Sequence, residues 1–219
     1  MEINISDRIK EVCPQLCLAV LKGEVSNSPT TDVLWSEIQA ETKRISSVYS
    51  IEEINKRPQI AATRKVYKVL GKDPNRYRPS AEALCRRIVR GIALYKVSAL
   101  VDIINLVSIR SGISIGGFDL DKIEGDVTLG VGNSSDEFEA IGRGFLNVES
   151  LPLYRDNIGG IGTPTSDNER TKISENTTRI LVILNGYDGA KGLQDAVNHA
   201  IQLLEEYAGM KKYELNFIP

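Results

Sequence analysis

Apolar residues recur at helical spacing through the first half of the chain and in short runs through the second. Leu34, Ile38, Ile45 and Val48 follow Pro29-Thr30-Thr31-Asp32, whose short polar side chains suit a helix N-cap. Ser50 and Glu53 have capping-box spacing and open a short helix that must close before Pro58. The next helix covers about 59–70 and stops at Gly71; another opens at Pro79-Ser80 and stops at Gly91. Upstream, Val12 to Val20 reads as a strand interrupted by Pro14. Residues 113–185 are glycine-rich with short apolar runs, notably 126–131 and 179–184, and read as strands joined by turns. An amphipathic helix over about 189–208 closes the pattern. Helices early, strands late and one terminal helix predict an α+β fold, a mixed β-sheet core flanked by helices, in a single domain over 1–219.

Residues 98–111 form the most apolar helix. Ser98, Asp102, Asn105 and Ser108 fall within an arc of roughly 120°, and the remaining positions are almost all apolar. A helix so apolar is mostly buried, and its polar stripe faces water or a polar cavity. Gly112, Gly116 and Gly117 then lead into Phe118-Asp119-Leu120-Asp121-Lys122-Ile123, expected as a strand.

Charge changes the picture more than overall composition does. The net charge is −2, yet residues 64–90 hold nine basic and two acidic residues, so the rest of the chain is strongly acidic. Arg86, Arg87 and Arg90 share one arc of the 80–91 helix, opposite Ala81, Leu84, Cys85 and Ile88. With Arg64, Arg76 and Arg78 and the interleaved Tyr67 and Tyr77, they form a candidate phosphate-tracking patch for RNA. A solvated face that neutralises acidic neighbours is the competing reading.

The remaining chemistry is sparse. The longest apolar runs are too short to span a bilayer, and Met1-Glu2-Ile3-Asn4 lacks the basic and apolar regions of a signal peptide. Cys13, Cys17 and Cys85 are odd in number and read as reduced thiols of a cytoplasmic protein. Cys13 and Cys17 lack the partners to complete a zinc site, since His199 is the only histidine, and no metal or cofactor is expected. His199 shares a helix face with Asn198, Gln202 and Glu205 and reads as a surface histidine. Gly130-x-Gly132-x-x-Ser135 reads as a hairpin turn rather than a dinucleotide loop. Gly159 to Pro164 lacks a P-loop lysine and reads as a flexible wall beside a pocket. Thr165 to Lys172 is dense in polar groups and feeds the most apolar strand, an arrangement equally compatible with Arg170 and Thr171 at a cavity mouth and with an exposed turn whose charges lie in water.

The helix, glycine turn and FDLDKI segment of 98–126 resemble the B3/B4 domain of the bacterial phenylalanyl-tRNA synthetase beta subunit. They look still more like free-standing B3/B4-domain proteins, which carry a similar ERTK stretch where Glu169 to Lys172 stand here. The resemblance runs from about Ile60 to Tyr207 and includes Arg78-Pro79-Ser80 and Glu175-Asn176-Thr177-Thr178, leaving an N-terminal part of about 1–58. It implies a B3/B4-type fold and a tRNA or aminoacyl-tRNA partner, with hydrolysis of mischarged species in trans as the associated activity. The synthetase's editing threonine, histidine and glutamate align with Ile104, Gly116 and Ile183, which cannot act as a general base or recognise a phenol hydroxyl. Tyrosine editing is therefore not carried over, and an apolar or small aminoacyl group is expected instead. A pocket lined by Asn105, Ser108, Asp119, Arg170 and Thr171 is the expectation, with its catalytic residue open. The alternative is a non-catalytic module that binds an amino acid or related small metabolite.

Overall fold

The computed structural model describes residues 1–219 throughout. In chain order the first elements are β1 (Ile3–Ile5), α1 (Asp7–Val12), β2 (Cys17–Glu24), α2 (Asp32–Val48) and α3 (Pro58–Val69). Next come α4 (Ser80–Val89), α5 (Ala99–Ser111), β3 (Ile115–Asp119), β4 (Val127–Val131), β5 (Glu139–Ala140) and β6 (Gly144–Phe145). The chain ends with β7 (Pro152–Arg155), β8 (Gly160–Gly162), β9 (Arg179–Gly186), α6 (Leu193–Ala208) and β10 (Lys211–Ile218).

Two four-stranded sheets stack at the centre, in the orders β10-β2-β9-β3 and β1-β4-β7-β8. The first is wholly antiparallel; the second is mixed, because β1 runs parallel to β4. β9 explains the arrangement. Its run Ile180 to Leu184 is fully buried, and alternate side chains serve two cores. Ile180, Val182 and Leu184 pack with Leu100, Ile103 and Val107 of α5 and with Val197 and Leu204 of α6. Leu181 and Ile183 pack with Phe118 and with Val127, Leu129 and Ile161 of the second sheet. A strand covered on both faces reads as continuous hydrophobicity, as 179–184 does. The α+β expectation with a mixed sheet core holds, and the order of layers is helices, sheet, sheet.

Several local expectations need correction. Val12 to Val20 is not one strand: α1 ends at Val12, and β2 starts at Cys17. β2 is paired on both sides, where Pro14 would have removed a ladder hydrogen bond. The FDLDKI strand stops at Asp119, because its carboxylate accepts from the Asp121 N–H at 3.2 Å and turns Leu120–Lys122 into a 3₁₀ turn. The Ser50–Glu53 box makes one bond, Ser50 N–H to Glu53 at 2.7 Å, but supports only a turn and a 3₁₀ stretch at Ile54–Lys56. Gly160–Gly162 is strand rather than a loose wall. β10 carried no sequence signal, since it is an edge strand whose residues are mostly exposed.

Arg57 ties the helices together. Its guanidinium is buried and donates to the carbonyls of Ile109 and Arg110 at 2.9 Å each, in the last turn of α5. It also reaches Cys85 Sγ of α4 at 3.0 Å. Gly112 closes α5 at φ +79°, with Arg57 Nη2 only 3.3 Å from where a Cβ would stand. Replacing Arg57 with Gln removes charge-assisted bonds to helix-terminal carbonyls. Chemical denaturation should show a loss of about 2–3 kcal/mol.

Candidate functional site

α5 packs across β3 closely because β3 lacks a side chain at Gly117. A Cβ there would stand 2.4 Å from Ile104 Cδ1. A cavity of about 480 Å³ opens beside this contact, bounded by α5, the start of α4, β3 and the 163–167 turn. Leu84, Val101, Ile104, Ile115 and Ile173 give it an apolar wall. Asn105, Ser108, Thr163, Thr165, Ser166, Asp167 and Lys172 supply the polar part. The polar stripe of α5 divides accordingly. Asp102 is buried away from the cavity and accepts from Thr30 Oγ1 and from the Val97 N–H at 3.1 Å. Ser98 Oγ takes the Asn27 amide at 3.2 Å. Asn105 and Ser108 face the cavity, and the Ser108 hydroxyl donates to the Ile113 carbonyl at 2.7 Å.

Asp167 is the cavity's distinctive group. The turn that carries it is closed by Thr163, whose N–H donates to the Ser166 carbonyl at 2.9 Å. Thr163 Oγ1 accepts from the N–H groups of Thr165 and Ser166 at 3.1 and 3.0 Å. The Pro164 carbonyl accepts from the Ser80 N–H at 2.8 Å and pins the turn to the start of α4. The turn thus aims Asp167 back at β3, where its Oδ2 accepts the Gly117 N–H at 3.2 Å. No cation pairs with it, and burial pushes its carboxyl up to about 7 against the lowering effect of that single N–H. A carboxyl poised there exchanges a proton near neutrality. Lys172, also at the cavity, is ion-paired with Glu169. No three histidine, cysteine or acidic side chains converge as metal binding would require.

Of the five expected pocket residues, the structure brings Asn105 and Ser108 together at the cavity and places the other three elsewhere. Arg170 is held by Asp156, with guanidinium contacts at 2.7 and 3.0 Å and a further bond to the Lys122 carbonyl at 3.0 Å. Asp156 captures it because three backbone N–H groups already fix that carboxylate in place. Thr171 is fully buried and bonds the Ile161 carbonyl at 3.4 Å. Asp119 is bound to Thr177 Oγ1 at 2.8 Å and to Lys122 at 3.4 Å, beyond the cavity's end of β3. The 165–172 segment does reach the cavity, but through Thr165, Ser166, Asp167 and Lys172. Its polar density was visible in the sequence; which side chains turn inward depends on the Thr163 turn.

Strand alternation also corrects the positions compared with the editing residues. Ile104 faces the cavity, but Gly117 rather than Gly116 stands opposite it. Gly116 pairs with Ile183, and Ile183 packs on the other face of the sheet. Only Ile104 of the three therefore bears on what enters.

The basic segment is less free than its helical arc suggests. Glu82, wholly buried on α4, gathers Arg64 at 2.8 Å, Arg86 at 2.7 Å and Arg78 at 3.8 Å. A buried carboxylate is tolerated only with such compensation, so these arginines turn inward. Arg64 is itself buried and also bonds Asn75 Oδ1 at 2.8 Å. Arg87 donates to the Ala93 carbonyl at 2.8 Å and lies over the Tyr95 ring at 4.5 Å. Arg76 and Arg90 are exposed.

Comparison with known proteins matches residues 62–209 to the model of the B3/4 domain family. Among solved structures, the chain is similar to an N-terminal fragment of the phenylalanyl-tRNA synthetase beta-subunit from Pyrococcus horikoshii. The TM-score is 0.51 at 14% identity, with 100% of this chain and 54% of that chain covered. The chain thus spans about half the length of that fragment, and at such identity the likeness is one of fold. No curated protein matches it. No helix is long and apolar enough to cross a membrane.

The raised Asp167 carboxyl has a stability consequence with a definite sign. Between the unfolded carboxylate value and about 7 the folded state binds the extra proton, so folding weakens as pH rises through that window. Asp167→Asn removes this loss while keeping an acceptor for Gly117. Thermal melts should show the variant gaining on the parent between pH 4 and pH 8, by about 2–4 kcal/mol. A constant difference across that range would show that the carboxyl is not desolvated.

Proposed function

This chain belongs to the B3/4 domain family, and on that premise we propose that its cavity takes the aminoacyl end of an aminoacyl-tRNA and hydrolyses the ester. The observation that carries the reading is Asp167, a carboxyl poised near neutrality inside a cavity with an apolar wall. The apolar side of the cavity, formed by Leu84, Val101 and Ile104, receives the side chain of the aminoacyl group. Asp167, when ionised, takes a proton from a water molecule as that water attacks the ester carbonyl. The carbonyl–ribose oxygen bond then breaks, and the proton passes to the departing ribose hydroxyl. The Asn105 amide is available to donate to the developing oxyanion, whereas the hydroxyls of Thr163 and Thr165 already donate to the Ser166 and Tyr77 carbonyls. General base catalysis of this kind contributes about 10²–10⁴-fold. The nucleic acid would lie along the exposed Arg76 and Arg90.

One observation favours a second reading. Arg64, Arg78 and Arg86 are engaged with Glu82, which leaves a thinner basic surface for RNA and favours a free amino acid or related small metabolite as ligand. In that case Asp167 receives an ammonium and no bond breaks.

A single-turnover deacylation screen over correctly and incorrectly charged tRNAs separates the two. The expected rate rises with pH around a midpoint near 7, because only ionised Asp167 accepts the proton. Asp167→Asn should lower it by about 10²-fold or more. If no charged tRNA is hydrolysed faster than in buffer, the catalytic reading falls and the binding reading stands. Hydrolysis unchanged in the Asn variant would remove Asp167 from the chemistry.

A further inference from the structure

The mouth of the Asp167 cavity carries large apolar side chains that stand in solvent. Val97, just before α5, lines the cavity and is 61% exposed. Ile141, in the turn after β5, lines it too and is 41% exposed. The Ile141 N–H donates to the Asp167 carbonyl at 3.1 Å, which fixes this residue beside the one that carries the cavity's carboxyl. Apolar residues exposed singly are ordinary, but two at the rim of one cavity form a contact surface for whatever protrudes from it.

Tyr95 adds a flat face to that rim. Its Cα lies within about 7 Å of that of Val97, because two residues of chain reach no farther. The residue is 68% exposed. Arg87 backs the ring, with its guanidinium carbon 4.5 Å from the ring centroid and its Nε donating to the Ala93 carbonyl at 2.8 Å. Arg87 follows Leu84 of the cavity wall by one turn of α4, so the stacked pair sits where α4 leaves the cavity. One face of the ring is thus held by a cation that is itself anchored, and the exposure leaves the other face open. Much of the ordering cost of stacking on Tyr95 is already met by the fold.

We propose that Tyr95, with Val97 and Ile141, forms a stacking subsite for the nucleobase of the terminal adenosine of an aminoacyl-tRNA. The inference rests on the reading of the cavity as an aminoacyl-ester site and concerns the part of the substrate that lies outside it. The ester joins the aminoacyl group to a ribose, so an acyl carbon placed at Asp167 leaves the base of that ribose at the mouth. A base has two apolar faces and a polar edge. One face covers the open side of the Tyr95 ring, the apolar rim meets the rest, and the edge stays in water.

The rim separates the two ligands that the cavity could take. A free amino acid ends inside the cavity and leaves Tyr95 and Val97 uncovered. An aminoacyl-adenosine covers both, and the chain of nucleotides that follows it can reach Arg90, exposed one turn beyond Arg87 on α4. Base–aromatic stacking corresponds to about 5–100-fold in affinity.

The test uses alanyl, valyl and leucyl amides of 3′-amino-3′-deoxyadenosine, which mimic the ester and are not turned over. Each is paired with the same amide on a ribose that lacks the base and on one that carries cyclohexyl in its place. Isothermal titration of the full chain should show the adenine-bearing amide binding about 5–100-fold more tightly than the base-free one. Tyr95→Ala should abolish that difference and leave the base-free amide unchanged, while Tyr95→Phe, which keeps the ring, preserves it. Equal affinity of the paired amides, or no binding of any amide, would overturn the proposal. So would a difference that survives in Tyr95→Ala, or a loss in that variant shared by the base-free amide, which would mark a structural role. Cyclohexyl binding as tightly as adenine would overturn it too, since a general apolar surface would then account for the gain. The outcome is separate from that of the deacylation screen. Base-dependent binding through Tyr95 without hydrolysis would remove the catalytic reading alone, and hydrolysis at subsaturating enzyme that Tyr95→Ala leaves unchanged would remove the subsite alone.

Discussion

The double-sided burial of β9 constrains everything around it. A strand with no face in water must satisfy its backbone laterally, and β9 does so through β2 on one side and β3 on the other. Its side chains then require cover above and below. α5 and α6 provide one cover and the β1-β4-β7-β8 sheet the other. The first cover sets the site: α5 can approach β3 only at Gly117, and the cavity is the space that this close crossing leaves beside Ile104.

Buried carboxylates separate scaffold from site. Glu82 is surrounded by arginines, Asp156 by Arg170 and backbone N–H groups, and Asp119 by Thr177 and Lys122. Each is compensated in the way burial of charge demands. Asp167 has one backbone N–H and no cation. A carboxyl left so incompletely matched is retained at a cost to folding, and groups of that kind concentrate where protons are moved or cations bound.

Arg86, Arg87 and Arg90 share a helical arc, yet they differ in role because their neighbours differ. Glu82 stands one turn before Arg86 and draws it in, the Ala93 carbonyl holds Arg87, and Arg90 is left to solvent. Arc position predicts where a side chain starts; the nearest unmatched charge decides where its head group ends.

The chain's own pattern determined the helix-early, strand-late order, the buried helix over 98–111, the left-handed closures at Gly71 and Gly91, and the two-face burial of 179–184. These depend on local periodicity and on glycine, which act within a few residues. The resemblance carried by 98–126 likewise identified the family. Tertiary structure alone decided which polar residues share a cavity. Asp119, Arg170 and Thr171 are close in sequence to the right segments, but partners 10 to 58 residues away hold them off the cavity. Asp167 reaches it because the Thr163 turn, pinned by Ser80, faces it toward Gly117. Such choices are made by long-range hydrogen bonds and by the one-residue parity of a strand, and neither leaves a trace in local composition.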